Sequence, residues 1–271
     1  MTASPWIAAL FALFVWWFST GAILWVVKGT DARGPEGHSR SVVLGLPVLG
    51  AGTLGVAVSV GDATVSGVYL AFLSALAVWA WIELAFLSGI ITGPNPYRCP
   101  AGAGIWERFV RAWGTIAYHE MLLLAALAAI AFLSDGAANR FALLTFSILF
   151  CARISAKLNL FFGVPKINAD FLPVALGHLP SHFKQARLNP IFPLSVTGLT
   201  SVAFLWFERA LAAQAPAEAV GFALLVTLTL LALFEHWMMV LPVPDDKLWR
   251  WMIPTPKTHN KTLLREDPNG L

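Results

Sequence analysis

The sequence is poor in charge. Asp, Glu, Lys and Arg together make up 12% of its 271 residues, against about 25% in a typical soluble domain. The formal net charge of +3 comes from scattered residues, and no basic stripe or aromatic platform of the kind that reads nucleic acid is present. These shortages exclude an ordinary soluble domain and a nucleic-acid-binding protein.

Cysteines and catalytic motifs are scarce as well. Cys99 and Cys151 are not spaced like the cysteines of a metal-binding or redox motif. Cys99 falls in a predicted loop and Cys151 inside a predicted membrane helix, so we expect no disulfide between them. The Walker A loop, the nucleotide-binding glycine fingerprint and the hydrolase nucleophile elbow are absent. His119-Glu120 does not continue into His-Glu-x-x-His, and neither Glu-x-x-His nor clustered histidine boxes occur. The familiar soluble nucleotide enzymes and hydrolases, and the standard di-iron motifs, are therefore excluded.

Hydrophobic residues are abundant. They form 58% of the chain and include nineteen Phe and twelve Trp, and the mean hydropathy is +0.70. A bilayer core of about 30 Å requires about 20 helical residues, and seven apolar segments are suited to this. They are approximately 5–27, 41–60, 65–92, 107–133, 139–162, 190–208 and 217–241. The first lacks the basic residues and cleavage site of a signal peptide, so we predict that it is retained. The sequence thus predicts an all-α integral membrane protein with a bundle of about seven transmembrane helices.

The basic residues predict the orientation of this bundle. Fourteen of the 18 Lys and Arg residues fall in the odd-numbered loops, counting the start of the fourth predicted helix, or in the sequence after residue 241, whereas only Arg140 and Arg209 fall on the opposite side. Basic residues accumulate on the cytoplasmic side of membrane proteins. We therefore expect the N-terminus outside and the C-terminus in the cytoplasm.

Two segments outside the predicted helices have distinct patterns. Apolar residues near helical spacing predict a cytoplasmic amphipathic segment over 168–184, capped by Asn168. A folded loop packed on the bundle fits the same residues. We expect residues 1–253 to form a single transmembrane domain and 254–271 to form a polar cytoplasmic tail.

Several ionisable residues fall inside the predicted helices. A charge at mid-bilayer costs at least about 2.5–3.5 kcal/mol, so we expect these side chains to converge on one interior cavity, with Arg153 paired to a glutamate. This polar layer, which is our candidate ligand site, consists of Glu83, His119, Glu120, Arg153, Lys157, Glu235 and His236. Smaller polar residues at similar depth support it, namely Ser19, Thr20, Asn159, Ser195 and Thr197.

Four interpretations of the polar layer remain open at this point. It can fix helix packing through ion pairs. It can bind a pigment, because a neutral His119 or His236 can ligate the magnesium of a tetrapyrrole. It can hold a metal in a membrane enzyme, with Glu83, His119, Glu120, Glu235 and His236 as candidate ligands. A transporter is the least favoured, since broken helices and inverted repeats are not evident.

Short strings along the whole chain carry a resemblance. They include Trp16-Trp17-Phe18-Ser19-Thr20-Gly21, Glu83-Leu84-Ala85-Phe86-Leu87-Ser88-Gly89, Ile91-Thr92-Gly93-Pro94, Tyr118-His119-Glu120, Ser155-Ala156-Lys157-Leu158-Asn159, Gly163-Val164-Pro165, Phe171-Leu172-Pro173, Glu235-His236-Trp237 and Leu248-Trp249-Arg250-Trp251. In this order and spacing, the strings resemble the photosynthetic complex assembly family of the puh operon, the PuhE type, of anoxygenic phototrophic bacteria.

The resemblance implies a role in assembling the photosynthetic reaction centre with its core antenna, or in supplying bacteriochlorophyll to it. Reaction-centre or core-antenna subunits, or other assembly factors, are the implied partners beside the lipid bilayer. We therefore expect a non-enzymatic assembly factor in the bacterial cytoplasmic (inner) or intracytoplasmic photosynthetic membrane. The alternative is a membrane-embedded, metal-dependent enzyme acting on a pigment or lipid.

Overall fold

The computed structural model describes residues 3–31, 33–167 and 172–242. Within these residues, seven apolar spans are long enough to cross a membrane, and no β-strand is present. The helices are α1 (Pro5–Asp31), α2 (Gly34–Leu44), α3 (Leu46–Ser59), α4 (Val65–Leu87), α5 (Ile105–Leu133), α6 (Phe141–Phe162), α7 (Ile191–Ala212) and α8 (Pro216–Met238). The predicted seven-helix membrane bundle is confirmed.

The second span is interrupted at Gly45, where α2 ends and α3 begins. Pro47 follows two residues later; it has no N–H to donate, and its ring disfavours continuation of the preceding turn. The Gly45 N–H donates to both Ser41 O and Val42 O, at 3.0 and 3.2 Å. The span Gly34–Ser59 therefore begins earlier than the predicted 41–60.

Helix α4 ends five residues before the predicted position 92. Gly89 has a φ of 74°, a left-handed conformation that suits glycine and commonly ends helices. The N–H groups of Ile90 and Ile91 both turn back to Ala85 O, at 3.0 and 3.1 Å. The sequence prediction placed the end of this helix too late because the residues after Leu87 are still apolar. Hydropathy alone does not show where the chain turns.

Helices α4 and α8 lie at the centre of the bundle. In each of them 56% of the most apolar stretch is buried, compared with 17% in α1 and 11% in α7. One core cluster joins α4 to α1, α6 and α8 through residues such as Phe72 and Leu228. A second joins α4 to α3, α5 and α6 around Phe146. The central position of α4 places Glu83 next to several helices.

One end of the bundle carries the loops 88–104 and 163–190, and we call it the basic end. The amphipathic helix predicted over 168–184 is wrong for the part that the structure describes. Residues 172–184 instead form a folded loop with two short 3-10 helices, Val174–Leu176 and Leu179–His182. Pro173 and Pro180 prevent a continuous helix, and Leu176 and Leu179 pack against Phe86. Asn168 and the tail 254–271 lie outside the described residues.

Candidate functional site

The centre of the polar layer is an ion pair between α4 and α6. Arg153 Nη2 donates to Glu83 Oε2 at 2.9 Å, so the predicted pairing of Arg153 with a glutamate is present. The Glu83 side chain is 9% exposed, whereas that of Arg153 is 36% exposed. A charged pair buried between two helices requires both partners, because either charge alone would be costly in an apolar interior.

His119 approaches the same carboxylate from α5. Its Nε2 lies 3.7 Å from Glu83 Oε1, which is too long for a hydrogen bond, and its ring packs on Phe86 with centroids 4.3 Å apart. The imidazole is completely buried. Neither of its nitrogens, nor Glu83 Oε1, has a hydrogen-bond partner among the described residues.

A cavity of about 330 Å³ lies between α1, α4, α6 and α8, and we call it the central cavity. Glu83, Arg153 and Glu235 line it, together with Ser19 and Thr20. The indole of Trp16 on α1 donates a hydrogen bond to Glu235. These groups bring two carboxylates and one guanidinium to a single cavity, an arrangement suited to a basic or hydrogen-bond-donating side chain.

A second ion pair lies between α5 and α6. Lys157 Nζ donates to Glu120 Oε1, and the ammonium also lies 5.7 Å from the centroid of the Phe86 ring. Glu120 is 4% exposed, and its Oε2 has no partner among the described residues. This pair borders a cavity of about 280 Å³, here called the lateral cavity, which Arg153 also lines.

His236 lines neither of the two cavities. Its side chain instead links α8 to α6 through hydrogen bonds. Its Nδ1 lies 2.8 Å from Ala232 O; since a carbonyl can only accept, Nδ1 carries the proton. Nε2 therefore accepts from the Ser155 hydroxyl at 2.8 Å. Asn159 connects this link to α7, because its amide donates to Ser155 O and to Ser195 Oγ on α7, both at 2.9 Å.

The expectation that all these residues meet in one cavity is wrong. Glu83 and Glu235 line the central cavity, Glu120 and Lys157 the lateral one, and Arg153 borders both. Successive residues differ by about 100° around a helix, so Glu120 points away from its neighbour His119. Thr197 is exposed on α7 and does not join the network.

Some residues at the site escaped the sequence reasoning. Trp16 and His182 were overlooked because neither a tryptophan in a membrane helix nor a loop histidine stands out by type. Asn189 was overlooked too, although it donates to Asn159 Oδ1 at 3.1 Å and to Gly163 O at 2.7 Å. Its side-chain oxygen also accepts from the N–H of Ile191 at the start of α7. Asn189 precedes Pro190, which comes directly before α7, and an Asn close to the start of a helix was a readable signal for that cap.

Neither a bound metal nor an enclosed magnesium tetrapyrrole fits the described residues. No group of three or more His, Cys, Asp or Glu side chains in this part of the chain is placed to hold a metal ion. Both nitrogens of His236 are engaged. His119 is completely buried against Phe86, which leaves no room for a macrocycle against its ring.

Comparison with known proteins identifies relatives but no structural neighbour. Residues 2–260 match the family described as "Protein of unknown function (DUF3623)". A relative from Rhodobacter capsulatus, named "Uncharacterized 30.4 kDa protein in puhA 5'region", is 52% identical over 268 residues, which cover 99% of this chain and 98% of that protein. No solved structure matches. The chain therefore belongs to the DUF3623 family.

Proposed function

We propose that this protein is a non-enzymatic membrane assembly factor for the bacterial photosynthetic reaction centre and its core antenna. The observation that carries the proposal is the near full-length similarity to the Rhodobacter capsulatus protein named for the puhA 5' region. The order and spacing of the strings from helix 1 to Trp251 support the same family role. The bundle would act in the cytoplasmic or intracytoplasmic membrane, with its basic end in the cytoplasm.

The outer surface of α1 supports a role in helix–helix contacts. Four large aromatic side chains there are more than half exposed, namely Trp6, Phe14, Phe18 and Trp25. Aromatic residues are enriched in protein interfaces, where they contribute large contact areas. In the bilayer, this face can receive an apolar helix of a reaction-centre or core-antenna subunit.

The central cavity supports a second, polar contact. Glu235 lies in the last turn of α8, three residues before Met238, and its side chain is exposed. Its carboxylate borders the central cavity and accepts from the Trp16 indole, whereas the Glu83 carboxylate is neutralised by Arg153 at 2.9 Å. We assign Glu235 as the group that receives a basic or hydrogen-bond-donating side chain of a partner subunit.

Deletion of the gene in a phototrophic host that carries it tests the assembly role. We expect the assembled reaction-centre core to fall severalfold in membranes while total bacteriochlorophyll per cell changes less, because pigment synthesis is not the step affected. A copy of the gene restores assembly, and a Glu235→Gln copy restores it only in part at equal protein level. Unchanged core complex in the deletion strain would refute the proposal.

A further inference from the structure

The lateral cavity combines apolar walls with one polar end. Four residues along α5 line it, namely Phe109, Trp113, Ile116 and Glu120. From Phe109 to Glu120 the helix rises about 16 Å at 1.5 Å per residue. The remaining walls come from α4, α6 and the loop that contains His182. The cavity is thus a narrow apolar slot that runs from the basic end towards the interior of the bundle.

The inner end of this slot holds an incompletely satisfied carboxylate. Lys157 occupies Glu120 Oε1, but Glu120 Oε2 is buried without a hydrogen-bond partner among the described residues. An unsatisfied buried acceptor costs free energy unless a donor reaches it. A ligand that enters the slot can supply that donor while its apolar part covers the aromatic and aliphatic walls.

The volume limits the size of such a ligand. Small-molecule sites typically enclose about 300–1,000 Å³, and the slot, at about 280 Å³, is at the lower limit. One aliphatic chain fits this space, whereas a two-chain phospholipid does not. Phe109 and Trp113 are 36% and 48% exposed, so the wall they form also reaches the outer surface of α5, where a chain can enter from the bilayer.

Charge limits the chemistry of the head group. A carboxylate or phosphate would meet the negative charge of Glu120, and an ammonium would meet Lys157 and Arg153. A ketone or ester brings no donor for Glu120 Oε2. A hydroxyl can donate to Glu120 Oε2 and accept from Lys157, so it satisfies both groups without adding charge.

His182 lies at the end of the slot opposite Glu120, and its side chain is neutral. Its Nδ1 lies 3.3 Å from Ser181 Oγ, whose own proton goes to His178 O at 2.7 Å. His182 Nδ1 is therefore the donor, and Nε2 is an acceptor in the neutral ring. Burial lowers the pKa of His182, which favours this neutral form. The slot thus carries no charge at His182, whose Nε2, like Glu120 Oε2, is buried without a hydrogen-bond partner among the described residues. A hydroxyl bonds more strongly to the Glu120 carboxylate, because a hydrogen bond to an ionised acceptor is stronger than one to a neutral ring.

We propose that the lateral cavity binds a single-chain membrane alcohol, with the hydroxyl between Glu120 and Lys157 and the chain directed towards His182. The site is separate from the assembly role and does not depend on it. A saturated fatty alcohol and an isoprenoid alcohol both have one hydroxyl and one apolar chain. The shape of the cavity does not distinguish between them.

The test uses the full-length protein in nanodiscs, titrated with hexadecanol, farnesol and the methyl ether of each. We expect at least one alcohol to bind at a stoichiometry of one by native mass spectrometry, and its ether to bind at least about tenfold more weakly, since the ether cannot donate to the carboxylate. Binding of hexadecanol or of farnesol alone would identify the source. No binding of either alcohol, or equal binding of alcohol and ether, would overturn the proposal.

Two variants localise the site. Glu120→Gln keeps an oxygen for Lys157 but replaces Oε2 by a donor, so alcohol binding should weaken at least about tenfold. Glu107→Gln is the matched control on α5; Glu107 pairs with Arg111 on the exposed surface and does not line the cavity. A brominated alcohol should quench part of the tryptophan fluorescence, and that part should be lost in Trp113→Phe. Weakening in His182→Gln with unchanged binding in Glu120→Gln would contradict the orientation and overturn the proposal.

Discussion

Among single side chains, Arg153 has the position with the widest consequences, because it separates two cavities and neutralises the carboxylate of Glu83. Its Nη2 is 2.9 Å from Glu83 Oε2, while its Nε has no partner among the described residues. The guanidinium is thus held at one end only, and its partial exposure to the cavities lowers the cost of keeping a charge there.

We predict that Arg153→Met destabilises the bundle by less than the about 3–5 kcal/mol typical of breaking a fully buried pair, because the arginine side chain is 36% exposed. Adding Glu83→Gln should restore much of the loss, since the unpaired carboxylate is then gone. Unfolding in detergent, followed by circular dichroism, measures both. If the double variant is no more stable than Arg153→Met alone, the pair does not account for the loss.

The two histidines should respond differently to removal. His236 joins α8 to α6 through Ser155, so His236→Leu leaves the partly buried Ser155 hydroxyl without this partner and should cost about 1–3 kcal/mol. His119 has no hydrogen-bond partner among the described residues, so His119→Leu should leave stability within about 1 kcal/mol, as for an apolar replacement of similar size.

Protein levels in membranes and thermal unfolding distinguish the two histidine variants. A lower level for His236→Leu and a normal level for His119→Leu is the expected pattern. If His119→Leu accumulates normally but reaction-centre assembly fails, the buried imidazole has a role beyond packing. Equal losses of stability in both variants would contradict the hydrogen-bond assignment.

The sequence predicted that Arg153 pairs with a glutamate, but not with which one, and it did not predict that Glu235 and Thr197 are exposed. Glu83 and Arg153 were found because a charge within an apolar run requires a partner. Their depth follows from counting residues along a helix, but the pairing depends on how each helix is rotated about its axis. That rotation is set by packing against neighbours, so Glu120 and Glu235 turned out to face different cavities.

At the scale of helices, the close contact between α3 and α4 depends on two small residues. Gly52 and Gly55 are buried on α3, and a Cβ added to Gly52 would lie 3.0 Å from the backbone nitrogen of Val78. Small residues at such spacing allow membrane helices to approach closely. The sequence showed a glycine-rich second span, but it did not show which glycines face a partner.

We predict that Gly52→Leu destabilises the bundle by about 1–3 kcal/mol, the usual cost of overpacking, because the backbone of α4 cannot move aside cheaply. Gly50→Leu is the matched control, since nothing lies within 4 Å of a Cβ at that position. Detergent unfolding of the two variants provides the measurement. Equal stability of both variants would show that α3 and α4 are not in close contact at Gly52.

Helix ends were predictable where a backbone signal coincided with the end of an apolar run. Thr64 caps α4 by accepting from the Gly67 N–H at 3.2 Å, and the predicted start at residue 65 matches. At the other end the apolar run continues past the turn at Gly89. The loop 172–184 shows the same limit, because its apolar spacing resembles a helix while Pro173 and Pro180 forbid one.

For the whole molecule, the remaining structural prediction is the orientation in the membrane. Fourteen Lys and Arg residues fall in the loops and helix ends of the basic end or in the sequence after residue 241, and Arg140 and Arg209 fall at the opposite end. Lys and Arg near membrane spans are retained on the cytoplasmic side during insertion. Seven spans among the described residues predict that the two termini lie on opposite sides of the membrane.

We therefore predict that a reporter fused after Leu271 is active only in its cytoplasmic form, and that one inserted at Gly136 is active only in its external form. Gly136 lies in the turn between α5 and α6 and has a φ of 64°, and a Cβ there would meet nothing within 4 Å, so this turn should accept an insertion. Paired alkaline phosphatase and green fluorescent protein fusions at each position give the measurement. Phosphatase should be active only at Gly136 and fluorescence should appear only after Leu271, because each reporter matures on one side of the membrane. Both positions reporting the same side would refute the seven-span topology, and exchanged sides would place the basic end outside.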